Sequence, residues 1–169
     1  ILSVHTAPVR TVDFSPKGNL LASGSDDKTA RVWDVWTGQV RRILSGHNTS
    51  VSGVNFHPNG RFLAAATVDG SIKIWNPRAG KLKRTLTGHK KPISSVRFGP
   101  KGRMLTSASF DKTVRVWQVS TGKQMRVLKQ RGHAHVIDVH PNGRRIGTAN
   151  TDGVARITDI TRKRTVATL

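Results

Sequence analysis

An interval of 42 residues returns along this chain, and it limits the possible fold more than any other feature. A tryptophan, a histidine, a proline and an aspartate recur on it, with a last interval of 41 for the proline and the aspartate: Trp33, Trp75, Trp117; His5, His47, His89; Pro16, Pro58, Pro100, Pro141; Asp27, Asp69, Asp111, Asp152. Repeats of this length are single supersecondary units that bury their apolar surface by stacking on their neighbours. The period therefore predicts an array of four such units.

Each unit contains four segments with strand-like patterns. The first alternates apolar and polar residues, as a half-buried strand does, and a Pro-x-Gly turn follows it. The unit continues with a second strand of small residues, a turn with the periodic aspartate, a third strand that ends on tryptophan, and a fourth strand. In the first unit the first, second and fourth strands are predicted at Val9–Phe14, Leu20–Ser25 and Arg41–Leu44. Four strands per repeat of this length form one β-propeller blade. We therefore predict an all-β single domain of four antiparallel four-stranded blades, approximately 5–45, 47–87, 89–129 and 133–169, the last degenerate.

Three dipeptides carry a resemblance to a known family. Gly46-His47 and Gly88-His89 precede the second and third repeats, and Trp33-Asp34 closes the third strand of the first. With this spacing the chain resembles the WD-repeat family over essentially its whole length, although Trp75-Asn76 and Trp117-Gln118 relax the last dipeptide.

The resemblance implies a ring of about seven blades, so we expect these four to be part of a longer protein. Two alternatives remain: two copies form an eight-bladed ring, or four blades close alone. The segment Ile1-Leu2-Ser3 repeats Ile43-Leu44-Ser45, so the chain begins and ends in the same phase of the repeat.

The resemblance also implies a buried hydrogen-bond relay in the first three blades, from aspartate to histidine to hydroxyl to indole. Its expected members are His5, Ser25, Asp27, Trp33; His47, Thr67, Asp69, Trp75; His89, Ser109, Asp111, Trp117. A catalytic triad is needed once per site, whereas this set recurs with the repeat, so we interpret it as structural and predict no enzymatic activity. Asp69→Ala is expected to leave the buried imidazole of His47 and the hydroxyl of Thr67 unpaired at a cost of roughly 1–3 kcal/mol.

The fourth repeat departs from this pattern. Asn150 replaces the hydroxyl residue, Thr158 replaces the tryptophan, and His133 lies 8 residues before Pro141 instead of 11. We therefore expect no relay in the fourth blade, and we expect that blade to be the least stable.

The charge of the chain is strongly one-sided. Lysine and arginine total 29 against 9 acids, all of them aspartate, and the formal net charge is +20. Such a surface attracts polyanions. Candidate contact residues follow the fourth strands and the links between blades: Arg41, Arg42, Lys81, Lys83, Arg84, Lys90, Lys91, Lys123, Arg126, Lys129, Arg131, Arg162, Lys163 and Arg164. A second basic group lies at the first turns: Lys17, Arg61, Lys101, Arg103, Arg144 and Arg145.

These features favour a non-enzymatic scaffold that contacts the RNA backbone in a ribonucleoprotein complex, with other proteins as further partners. Trp36, outside the expected relay, is the one aromatic side chain that we single out as a contact residue. The alternatives are a cytoskeletal or centriolar scaffold on acidic tubulin surfaces, to which His5-Thr6-Ala7-Pro8-Val9-Arg10 points, or a peptide-binding adaptor. We expect no metal, no cofactor and no membrane association, and an intracellular location in the nucleus, nucleolus or cytoplasm.

Overall fold

A computed structural model describes residues 5–169 and contains sixteen β-strands in four sheets. They are β1 Val9–Phe14, β2 Leu20–Ser25, β3 Ala30–Asp34 and β4 Val40–Leu44; β5 Val51–Phe56, β6 Leu63–Thr67, β7 Ile72–Asn76 and β8 Lys81–Leu86; β9 Ile93–Phe98, β10 Met104–Ser109, β11 Thr113–Gln118 and β12 Gln124–Lys129; β13 Ala134–Val139, β14 Arg145–Asn150, β15 Ala155–Asp159 and β16 Arg164–Thr168. Each sheet is a four-stranded antiparallel meander, which confirms the predicted all-β fold of four blades. Within the described residues no helix is long and apolar enough to cross a bilayer.

The meander places the turns of each blade at two opposite ends. The first turn, such as β1–β2, and the third turn, such as β3–β4, lie at the same end because adjacent strands run antiparallel. The backbone N–H of Val35 donates to the Asn19 carbonyl at 3.2 Å and joins these two turns in blade one. We call this end of the molecule the turn face, and the opposite end, with the periodic aspartates, the relay face.

Neighbouring blades stack through their apolar sides. In the first junction Ala22, Val32 and Leu44 of blade one pack against Val54 and Phe56 of blade two. Equivalent clusters join blade two to blade three and blade three to blade four. Burial of these aliphatic and aromatic side chains is the main stabilising contribution between blades.

Polar side chains on the first strands of the blades fix the position of each blade along the strand direction of its neighbour. A carboxylate oxygen of Asp13 accepts hydrogen bonds from the Phe56 backbone N–H at 2.6 Å and from the Asn55 amide at 3.1 Å. The Asn55 side-chain oxygen in turn accepts from the Phe98 backbone N–H at 2.7 Å. Burial raises the pKa of Asp13, although its hydrogen bond from Phe56 opposes that rise. Side chains therefore tie the first strand of blade one to that of blade two, and the first strand of blade two to that of blade three.

The first and last blades each keep one uncovered side. Val12 and Phe14 are 59% and 60% exposed, whereas Val54 and Phe56, their equivalents one repeat later, are 1% and 5% exposed. At the other end Ala155 is exposed, although its equivalents in the other blades are buried. The four blades therefore do not cover each other's end faces, contrary to the alternative in which they close alone. The Ile1-Leu2-Ser3 segment lies outside the described residues.

Candidate functional site

Blades one and three each contain a complete relay. In blade three the His89 Nδ1 lies 2.8 Å from Asp111 Oδ2, and its Nε2 lies 2.8 Å from the Ser107 hydroxyl. The Trp117 indole N–H donates to the same hydroxyl at 2.9 Å. Because a carboxylate can only accept, the ring proton of neutral His89 is on Nδ1, and the Ser107 O–H donates to Nε2.

Blade one repeats this geometry. His5 lies 2.6 Å from Asp27 and 2.7 Å from the Ser23 hydroxyl, and the Trp33 indole donates to Ser23 at 2.8 Å. Both relays join the loop that enters the blade to its second and third strands. They hold the blade together and leave no reactive group free.

The expectation that Ser25 and Ser109 supply the hydroxyl is wrong. The Ser109 hydroxyl instead donates to the Lys91 carbonyl at 3.0 Å and accepts from the Asp111 backbone N–H at 3.1 Å. Ser25 makes the equivalent bonds to the Ala7 carbonyl and the Asp27 N–H. These serines secure the second turn, and the relay uses the serine two residues earlier on the same face of the strand.

The ionised carboxylates of the relays are stabilised by several donors. Burial raises the pKa of Asp27, but hydrogen bonds from Thr29 and His5 outweigh it and hold the pKa well below its ordinary value. Burial also raises the pKa of Asp111, and the hydrogen bonds from Thr113 and His89 outweigh that effect. Burial lowers the pKa of His89 despite the adjacent carboxylate, which favours the neutral ring that the hydrogen-bond geometry requires.

Blade two lacks the relay that was expected there. The position of Ser23 and Ser107 is occupied by Ala65, and neither His47 ring nitrogen nor the Trp75 indole nitrogen has a hydrogen-bond partner within residues 5–169. Burial, with a smaller effect of Lys73, lowers the pKa of His47 to about 4. Without a hydroxyl at position 65, nothing holds the Nε2 side of the ring in the relay.

Asp69 and Thr67 form a separate local network in the same blade. Thr67 donates to Asp69 at 2.6 Å, and the Ser71 backbone N–H donates to Asp69 at 2.9 Å. The expectation that Asp69→Ala would unpair the His47 ring is therefore wrong, because Asp69 does not hold that ring.

Blade four has substitutes at the relay positions. Gln130 and Thr148 stand where blades one and three have histidine and serine, and the two side chains lie 3.4 Å apart. Asp152 pairs with Arg156 at 2.5 Å instead of with an imidazole. The Thr158 hydroxyl is buried without a partner in the described part of the chain.

The histidine of blade four that lies out of register is used differently. His133 Nδ1 lies 2.5 Å from the Phe110 carbonyl, and its ring is 5.5 Å from the Phe110 ring. The His135 ring also packs edge-on against the Phe110 ring, with their centroids 5.2 Å apart. Both histidines therefore pack on the second turn of blade three.

All nine aspartates accept hydrogen bonds within the chain, and nine carboxylates are too few to balance 29 basic side chains. Asp26 pairs with Arg10, and Asp34 pairs with Arg41 at 2.5 Å. The Arg41 guanidinium and the Thr37 backbone N–H lower the pKa of Asp34 to about 2. The remaining aspartates, namely Asp13, Asp27, Asp69, Asp111, Asp138, Asp152 and Asp159, all accept hydrogen bonds from the described residues.

The predicted contact residues on the fourth strands lie at the outer edges of the sheets, but not all are available. Arg41 is paired with Asp34. Arg84 donates to the Ser120 carbonyl at 2.7 Å and to the Thr121 carbonyl at 3.0 Å, so it bridges blade two to the third turn of blade three. Exposed members without a described carboxylate partner are Arg42, Lys81, Lys83, Lys90, Lys91, Lys123, Lys129, Arg131, Arg162, Lys163 and Arg164, whereas Arg126 is half-buried.

A cleft of about 1140 Å³ opens on the turn face at the junction of blades two and three, and we call it the basic cleft. Arg84, which donates to blade three, lines it, and its other exposed cations come from the first turns of three blades, the third turn of blade two and β8: Lys17, Arg61, Lys101, Arg103, Arg78 and Lys83. No carboxylate from the described part of the chain lines it. Blade stacking therefore brings Lys83 and Arg84, candidate contact residues of a fourth strand, close to Lys17, Arg61, Lys101 and Arg103 of the first turns, which are far apart in the sequence.

The floor of the basic cleft is built on His57, a residue that sequence reasoning passed over. Its ring packs edge-on against Phe98 and Phe62, with centroids 5.0 and 5.7 Å away. Nδ1 accepts from the Asn59 N–H at 3.1 Å, and Nε2 donates to the Gly102 carbonyl at 3.1 Å. Burial lowers the pKa of His57. A neutral His57 thus fixes the first turn of blade three against that of blade two.

Trp36 lies in the third turn of blade one, on the turn face, and is 83% exposed. Its backbone N–H donates to the Asp34 carboxylate at 3.0 Å, which fixes the turn. The residues at the same position of blades two and three, Arg78 and Ser120, both line the basic cleft. The other tryptophans, Trp33, Trp75 and Trp117, are buried.

Antiparallel four-stranded blades stacked side by side, with His–Asp–Ser–Trp relays inside two of them, define a repeat protein of the β-propeller class. The chain belongs to the WD40 family: the model described as WD domain, G-beta repeat matches residues 1–34, 38–76 and 80–118, more than half of the chain. Members of this family generally act as non-enzymatic scaffolds for interactions with other proteins.

The curated relatives resemble only one part of the chain. Proteins named Ribosome biogenesis protein BOP1 homolog from Drosophila virilis, Drosophila erecta and Drosophila melanogaster are each 50% identical to it over 40 residues. The matched segment is 24% of this chain and only 5% of the length of each relative. The similarity therefore extends over about one repeat.

Proposed function

We propose that this chain is a non-enzymatic scaffold that contacts the RNA backbone within a ribonucleoprotein complex, in the nucleus or nucleolus. The observation that carries the proposal is the distribution of charge. All nine aspartates accept hydrogen bonds within the chain, while most of the 29 basic side chains are exposed. Each phosphate that such a surface neutralises releases counterions and adds affinity.

The one-repeat similarity to proteins named for ribosome biogenesis supports the same proposal. The blades offer contact surfaces for other proteins at their uncovered ends, where a further part of a longer chain or a second copy would complete a ring. The alternative, a scaffold on acidic protein surfaces such as tubulin, requires the same positive charge and is distinguished by the ligand.

The test is a salt series with a structured RNA and with a poly-glutamate peptide, followed by fluorescence anisotropy. We expect RNA binding to persist near 0.15 M salt, with a log–log slope of roughly −0.7 to −0.9 per contacted phosphate. We expect the peptide to dissociate at lower salt. If both ligands are lost together by about 0.2 M salt, the RNA proposal is wrong, and stronger binding of the peptide would favour the acidic-protein alternative.

A further inference from the structure

We propose that the basic cleft and Trp36 together form the principal RNA site of this chain, which holds the phosphates of a single-stranded segment while a base stacks on the indole. This inference rests on the proposed function and makes it specific: it names the strandedness of the RNA and the face that binds it.

The basic cleft differs from the rest of the basic surface in how its charges are arranged. Besides Arg84, six exposed cations from three consecutive blades converge on one concavity, and no carboxylate of residues 5–169 lines it. None of the six has an ion-pair partner among the described residues. Walls of low dielectric constant focus the field of such a cluster, so it attracts an anion more strongly than the same charges on a convex rim.

The size and floor of the basic cleft fit several linked phosphates better than one small anion. Its volume of about 1140 Å³ is comparable to the largest small-ligand pockets, which are on the order of 1,000 Å³, and is larger than a single phosphate needs. Phe62, Ile74 and Val119 are among its lining residues, and His57 is neutral, so the positive charge lies at its walls. A strand of RNA can follow these walls by its backbone.

Trp36 extends this site toward blade one. The Val35–Asn19 hydrogen bond holds its turn against the first turn of the same blade, which carries Lys17, and Lys17 lines the cleft. An indole that is 83% exposed, on a turn fixed by Asp34, presents a stacking surface with little loss of conformational freedom. A base can stack on such a side chain only when the base is unpaired, so this site fits single-stranded RNA.

A matched pair of charge reversals tests the cleft. The cleft variant is Arg61→Glu/Lys83→Glu/Lys101→Glu, and the control is Lys123→Glu/Lys129→Glu/Arg164→Glu, which changes the net charge equally at exposed positions outside the cleft. With a 12-nucleotide oligouridylate at 0.15 M salt, we expect the cleft variant to bind at least about ten-fold more weakly and the control at most about three-fold. The salt slope of the cleft variant is expected to fall by roughly 0.7 per lost phosphate contact.

Equal losses in both triple variants would overturn the assignment of the cleft while leaving general RNA binding intact. Failure of the unmodified chain to bind any RNA would instead reject the proposed function itself. Arg84→Glu is avoided because Arg84 bridges two blades. Unchanged circular dichroism and thermal midpoints establish that the variants fold.

Tryptophan fluorescence tests the stacking contact separately. Because the other three tryptophans are buried, quenching on addition of oligouridylate reports on Trp36. We expect quenching in the unmodified chain, at least about five-fold weaker binding by Trp36→Ala, and partial retention by Trp36→Phe. A double-stranded RNA is expected to bind both Trp36 variants equally. Unchanged affinity of Trp36→Ala for the single strand, or equal quenching by the duplex, would overturn the stacking assignment.

Discussion

The indole N–H of Trp117 donates to the Ser107 hydroxyl at 2.9 Å, and that hydroxyl also contacts His89 at 2.8 Å. In blade two the corresponding residue is Ala65, and the ring nitrogens of the equivalent tryptophan and histidine are buried without a hydrogen-bond partner among residues 5–169. One hydroxyl therefore decides whether two buried polar groups are satisfied. The difference between these two blades makes the energetic role of the relay measurable.

Removing the hydroxyl from the intact relay should be costly. Ser107→Ala leaves the His89 ring nitrogen and the Trp117 indole unpaired, and we expect a loss of roughly 1–3 kcal/mol in the free energy of unfolding. Urea denaturation followed by circular dichroism measures it. A loss indistinguishable from zero would mean that the relay contributes nothing to stability.

Adding a hydroxyl to blade two should have the opposite effect. Ala65→Ser places at this position the residue that blades one and three carry, and it supplies a partner for Trp75 and for His47. We expect the free energy of unfolding to rise by about 0.5–1.5 kcal/mol. The midpoint of urea denaturation, at an unchanged slope, is the measurement. A lower midpoint would show that His47 and Trp75 are not placed to use the hydroxyl.

The unpaired ring of His47 should make stability depend on pH. Burial lowers its pKa in the folded chain to about 4, whereas the unfolded chain has the ordinary value near 6.5. Between these values the unfolded state binds more protons, so stability is complete above about pH 6.5 and falls as the pH is lowered toward 4. We expect His47 to account for a loss of roughly 1–3 kcal/mol over that range.

His47→Gln separates this contribution from those of His57 and His89, whose pKa values are also lowered by burial. The variant should show a flatter dependence of unfolding free energy on pH than the unmodified chain. Identical pH profiles would contradict the assignment to His47.

The contact between Gly102 and His57 should tolerate no side chain. A Cβ at Gly102 would lie 2.0 Å from His57 Nε2, and the residue has φ +67°. Gly18, the equivalent turn residue of blade one, has φ +70° and no neighbour within 4 Å of such a Cβ. Both alanine variants carry the left-handed strain of roughly 1–2 kcal/mol, so a larger loss of stability in Gly102→Ala measures the clash with His57. Equal losses in the two thermal unfolding experiments would contradict this close approach.

The uncovered side of blade one should tolerate a polar residue. Phe56→Ser removes a buried ring and is expected to cost about 3–5 kcal/mol, whereas Phe14→Ser should cost less than about 1 kcal/mol because Phe14 is 60% exposed. Chemical denaturation and the solution mass are measured together. Equal costs would indicate that the Phe14 face is covered in solution, and a dimeric mass would identify a second copy as its cover.

The sequence by itself determined the repeat, the strands and the periodic residues. The spacing predicted β1 and β2 with their observed bounds, because strand alternation and Pro-x-Gly turns are local properties of the chain. Only the tertiary structure decided which serine joins the relay. Residues two apart on a strand lie on the same face, so the spacing of Ser23 and Ser25 could not distinguish them, and the cost of Ala65 in blade two was equally hidden.

The basic cleft was beyond the reach of the sequence for a similar reason. Lys17 and Lys101 belong to different blades, and only the stacking of the sheets, fixed in height by Asp13 and Asn55, brings their turns to one concavity. The same stacking ties Arg84 to a neighbouring turn and leaves Lys83 free. Composition determined the positive net charge of the chain, whereas the packing of the blades decided where its charges converge.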